Sequence, residues 1–131
     1  MKRPIIVLVL IVGIIAVSAY SRSRVYQARE TLHAYAQTIF TYIEKEDAAG
    51  AQTAVEELAT YWQKEQRLLI LFLRHAELDE LSRSVARLGS FAAFEEYADL
   101  DAELRAILWQ IDHIWHSERL RVGTAFLRAF D

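Results

Sequence analysis

Residues Ile5 to Ala19, IIVLVLIVGIIAVSA, carry no charge and a single polar side chain, and they follow Lys2, Arg3 and Pro4 directly at the start of the chain. A helix that crosses a bilayer needs about 20 mostly apolar residues at 1.5 Å rise each. Pro4 to Tyr20 supplies just enough, with Tyr20 where aromatic belts sit. Ile5, Leu8, Val12, Ile15 and Tyr20 mark the expected membrane anchor. A secretory signal peptide shares the basic start and apolar core, and Val17-Ser18-Ala19 is a passable cleavage site. The core is long for a signal peptide and rich in Ile and Val, so an uncleaved anchor over 1–21 is the expectation. Lys2, Arg3 and the terminal amine oppose Arg22, Arg24 and Arg29 across the span, which nearly balances the positive-inside rule. The short leader favours an N-in signal anchor with the remainder, 22–131, on the far side as one domain.

That remainder has room for one small domain. Setting aside Lys2 and Arg3 leaves 13 basic against 18 acidic side chains, which disfavours nucleic acid as a partner. Cysteine is absent, which removes disulfides, thiolate metal sites and cysteine nucleophiles. The only proline is Pro4, and glycine occurs at positions 13, 50, 89 and 123 alone. Almost nothing beyond the apolar run breaks a helix, so the domain reads as all-α.

Apolar residues recur at helical spacing. Val25, Ala28, Leu32, Tyr35, Ile39 and Tyr42 predict helix one over about 22–46, with Asp47 as the cap of the next helix. Ala51, Val55, Leu58, Tyr61, Trp62, Leu68, Leu69 and Phe72 predict helix two over about 48–74. The phase then slips, which places a hinge at Arg74 to Glu77, or else a kink in one long helix. Leu78, Leu81, Val85, Leu88, Phe91 and Ala92 predict helix three over about 77–93, and Leu100, Leu104, Ile107, Ile111 and Ile114 predict helix four over about 98–116. Ser117 is placed to cap a short amphipathic segment, 118–130, whose Arg119, Arg121 and Arg128 beside an apolar stripe suit either docking on the bundle or lying on lipid headgroups. The expected architecture is a single transmembrane helix, a small antiparallel bundle of two helical hairpins, and a short C-terminal amphipathic helix. Glu57-Leu58 with Trp62-Gln63 and Glu103-Leu104 with Trp109-Gln110 look faintly repetitive, and shared core composition explains the likeness without duplication.

The run from Trp62 to Phe72, then His75-Ala76-Glu77-Leu78-Asp79-Glu80-Leu81, Ala86-Arg87-Leu88 and Ile111-Asp112-His113-Ile114 before Glu118, resembles an uncharacterised, membrane-anchored bacterial family, domain of unknown function 4363. The likeness covers nearly the whole chain, and its most specific piece is His75 to Leu81. The tail, Arg121-Val122-Gly123-Thr124-Ala125-Phe126, departs from the asparagine-containing ending of that family. The resemblance implies an N-terminal anchor and a helical remainder in a bacterial cell membrane. It supplies no catalytic residues.

Antiparallel packing of helices three and four would bring His75, Glu77 and Asp79 towards Asp112, His113 and His116. His113 and His116 are three apart on one helical face, a spacing that can share a metal. A polar cluster of His75, Glu77, Asp79, Asp112 and His113 is the plainer expectation, with His75, His113 and His116 as weak metal candidates and His33 alone on the surface of helix one. No catalytic motif is present. The aromatic residues, Phe94 and Trp109 among them, are expected in the core rather than in a ligand groove. The chain therefore reads as a non-catalytic, cofactor-free bundle, tethered to the bilayer outside the cytoplasm. It would scaffold or bind a protein partner or self-associate, with a ligand or metal sensor as the alternative.

Overall fold

A computed structural model describes residues 2–130, apart from the side chains of 118–119, 121–127 and 129–130. It contains four helices, α1 (Lys2–Glu44), α2 (Ala48–Leu69), α3 (His75–Ala93) and α4 (Tyr97–Phe130), with no strand among the described residues. Each helix touches its two neighbours in a ring, α1 with α2, α2 with α3, α3 with α4 and α4 back to α1. Tight turns make successive helices antiparallel.

The expected boundary near residue 21 falls inside α1. The apolar run and helix one form a single helix of 43 residues, about 65 Å long at 1.5 Å per residue. Pro4 sits in its first turn, where proline is tolerated, and Gly13 alone does not interrupt it. The apolar half, from Ile5 to Val17, lies exposed along its length, whereas Ser21, Val25, Ala28, Leu32, Ala36 and Ile39 are buried. An apolar window in α1 has a mean hydropathy of 2.5 with 6% of it buried inside the molecule. That length and composition fit a membrane span or a signal sequence.

The remaining stripes form the core as the periodicity predicts. Leu58 and Trp62 from α2, Leu81 and Leu88 from α3, and Leu100, Leu104, Ile107 and Ile111 from α4 are essentially inaccessible. Tyr35, Phe40, Tyr42 and Ile43 flank this core half-buried. The indole Nε1 of Trp62 donates to Ser82 Oγ at 2.9 Å, so its one polar atom is satisfied inside the α2–α3 contact.

Three turns close the ring, and the first and last are alike. Glu46 and Glu95 have φ of 54° and 55°, the left-handed conformation that usually ends a helix at glycine. In the first turn Glu46 N donates to Ile43 O and Asp47 N to Tyr42 O; in the third Glu95 N donates to Ala92 O and Glu96 N to Phe91 O. Both are Schellman closures. Asp47 then caps α2 as expected, its Oδ1 accepting from Gly50 N at 3.0 Å. The middle turn lies at 70–74 and resolves the phase slip in favour of two separate helices. Helix two ends at Leu69 rather than 74, because Ile70 to Leu73 tighten into overlapping turns whose N–H groups bond Gln66, Leu68 and Leu69 carbonyls.

No fifth helix starts at Ser117. The segment 118–130 continues α4, since Glu, Arg and Leu favour helix propagation and no breaker precedes them. The apolar stripe and most of the arginines of that segment lie outside the described side chains; Arg128 and Leu120 are exposed.

The turns give two stability predictions for the full chain in detergent. Glu46→Gly or Glu95→Gly removes left-handed strain and should raise unfolding free energy by about 0.5–1 kcal/mol. Gly50→Ala should lower it by about 1–3 kcal/mol, because the added Cβ overlaps the Tyr42 ring and crowds the Asp47 carboxylate. Urea unfolding followed by circular dichroism reads both.

Candidate functional site

The polar cluster anticipated between α3 and α4 divides between other partners. Asp112 turns to α1, where its Oδ1 accepts from Arg29 Nε at 2.7 Å and from the His33 ring at 3.0 Å. Arg29 also reaches Glu30 at 2.8 Å. Arg29 and His33 are one turn apart on the edge of the buried stripe, so the two present side by side to α4. His33 is thus half-buried and bonded rather than a lone surface residue. His113 lies flat on Trp109, ring centroids 5.3 Å apart and nearly parallel.

His75 opens α3 and is exposed, as are Asp79 and His116, while Glu77 is half-buried. Among the described residues no hydrogen bond or ion pair joins His75, Glu77 or Asp79 to Asp112, His113 or His116, and no group of three or more His, Asp or Glu side chains is arranged to hold a metal ion. The stretch from His75 to Leu81 reads as a helix start. Glu77 stands in the first turn, where the dipole favours an anion, and Leu78 and Leu81 enter the core.

Ion pairs sit along the helix seams. Arg24 of α1 donates through Nη2 to Glu65 Oε1 of α2 and through Nη1 to Gln27, in a setting where Arg24 Nε and Glu65 Oε2 find no partner. Arg87 of α3 donates from Nε and Nη2 to Glu103 Oε1 of α4, at 3.0 and 2.7 Å. Tyr61 packs on Tyr35 with centroids 5.6 Å apart. Burial raises its phenol above the ordinary value of 10, partly offset by a hydrogen bond with Thr31, so it is a neutral group at physiological pH.

Two aromatics depart from the expected core. Phe94 is 75% exposed and Trp109 67% exposed. Trp62 and Trp109, which look alike in their sequence surroundings, therefore have different roles, one in the core and one on the surface. At the end where the apolar run joins the bundle, Trp115 contacts Tyr26 at 5.4 Å and lies under the Arg22 guanidinium at 5.7 Å. Tyr20 meets Phe72 edge-on at 5.9 Å. Periodicity assigns faces on one helix and does not say which helix comes next, which is why the Asp112 and Trp115 contacts escape it.

A family model described as a domain of unknown function, DUF4363, matches residues 19–124. The chain belongs to this family. The match begins at the end of the apolar run and takes in α2 and α3 whole with the bundle-forming parts of α1 and α4. No curated protein and no solved structure matches the chain.

The Arg24–Glu65 pair yields a test of seam energetics in this DUF4363 chain. Glu65 is 12% exposed and Arg24 27%, so Glu65→Ala leaves a half-buried guanidinium unpaired and should cost about 1–3 kcal/mol. Replacing both with Met should recover most of that loss, as measured by urea unfolding.

Proposed function

We propose that this DUF4363 protein stays in a bacterial cell membrane through α1, as a single-pass protein with its bundle outside the cytoplasm. There it acts without catalysis by binding a protein partner. Retention of the anchor is supported by the helix itself, because cleavage after Ala19 would require unwinding α1 one residue before Tyr20 contacts Phe72 and two before the buried Ser21. A non-catalytic role is supported by where the titratable groups lie, since Glu65, Glu103 and Asp112 each join one helix to the next.

Partner binding is carried by Trp109. A large indole held 67% exposed on α4, with its orientation set by the stacked His113 ring, is the kind of residue that dominates binding energy when a partner covers it. Ala102 lies two turns earlier on the same face and is exposed.

A photo-crosslinking amino acid at Ala102 in cells should give one adduct with a second protein, and Trp109→Ala should abolish it while shifting the melting temperature little. An adduct insensitive to Trp109→Ala, no adduct at all, or turnover of a defined substrate by the purified chain would contradict the reading. An adduct of the chain with itself would replace the partner by a second copy.

A further inference from the structure

The middle turn differs in kind from the other two. The far end of the bundle carries Glu44, Glu46, Asp47, Glu95, Glu96 and Asp99, all exposed, with Lys45 as the basic exception. The α2–α3 turn reads Ile70-Leu71-Phe72-Leu73, and only Leu73 of the four is buried. Leu71 is 72% exposed at the tip. Tight turns in water are built from polar residues and glycine, and four consecutive large apolar residues at a turn call for a cover.

Position identifies the cover. Phe72 packs edge-on against Tyr20, the residue at which the apolar stretch of α1 gives way to the bundle, so the turn tip sits at the level where that stretch ends. Arg67 in the last turn of α2 and Arg74 and His75 after the turn are exposed around the tip. Arg22 stands on the adjoining side of α1 over Trp115. An apolar tip ringed by arginines and aromatics, continuous with a hydrophobic helix, has the makeup of an interfacial membrane contact. The basic collar complements anionic headgroups; Glu77, Asp79 and Glu80 follow it one to two turns along α3, and six exposed acidic residues stand at the opposite end.

We propose that the turn Ile70–Leu73 inserts into the headgroup region of the bilayer as a second membrane contact, with Leu71 and Phe72 entering the upper acyl layer and Arg67 and Arg74 meeting lipid phosphates. This rests on α1 spanning the membrane. Two points of attachment hold the bundle upright on the surface and fix its rotation about α1, so that the α4 face bearing Trp109 keeps a set direction.

The chain has no cysteine, so single labels are specific. The full chain with Leu71→Cys, Phe94→Cys or Ile11→Cys, each carrying an environment-sensitive fluorophore, is reconstituted in vesicles of equal parts phosphatidylcholine and phosphatidylglycerol. Bromine placed high on the acyl chains should quench the blue-shifted label at 71. The label at 94, equally exposed but at the far end, should be quenched by aqueous iodide instead. Iodide quenching at 71 with bromolipid quenching at 11 overturns the second contact and leaves the anchor standing. Bromolipid quenching at neither position removes the anchor and the second contact together. A label at 71 shielded from both quenchers shows the turn covered by another copy of the chain, which also overturns the proposal.

Discussion

The structure depends on α1 remaining one helix across two halves of different surface. Its first half presents apolar side chains all round, and its second half buries a stripe from Ser21 to Ile39 against α2 and α4. Between Pro4 and Glu44 the one residue that strongly disfavours helix is Gly13, so the hydrogen-bond ladder passes from one half to the other without a joint. A flexible linker between two such halves would leave their relative orientation undefined. Here the apolar half runs straight into a wall of the bundle, and whatever orients the apolar half orients all four helices.

Helix ends show how the same problem is solved twice in different chemistry. At the far end, Glu46 and Glu95 accept a left-handed conformation that costs non-glycine residues about 1–2 kcal/mol, and the following acidic residues start the next helix in a region exposed to water. At the near end, Ile70 to Leu73 turn with ordinary right-handed geometry and display apolar side chains. Acidic and apolar ends thus give the bundle a polarity along its axis, with Arg22, Arg67 and Arg74 at the end nearest the apolar stretch.

Much of the fold was legible in the sequence because a ring of four helices leaves each with one buried stripe, and a stripe of spacing three and four is visible residue by residue. Leu100, Leu104, Ile107, Ile111 and Ile114 are all buried as read. The phase slip marked a turn, since a buried stripe cannot change phase within a straight helix, but placed it too late: the turn occupies 70–74, and His75 to Glu77, expected as the hinge, already belong to α3. Ser117 misled because a serine before a charged, amphipathic run resembles a cap, yet nothing terminates the helix before it. Seam contacts were illegible for another reason. The order of the chain points Asp112 towards α3, while the ring closes α4 on α1, where Arg29 and His33 stand one turn apart. Trp62 and Trp109 share neighbours in sequence and differ only in the angle each makes with the core, which decides that one anchors packing and the other faces outward.

Continuity of α1 is most directly tested by a spin-label distance across the junction. With Ile14→Cys and Gln37→Cys labelled in the full chain in lipid nanodiscs, an unbroken helix places the labelled positions about 35 Å apart along its axis. The account predicts a single narrow distribution centred near that separation. A broad distribution, a markedly shorter distance, or loss of residue 14 by cleavage from the mature chain would contradict it.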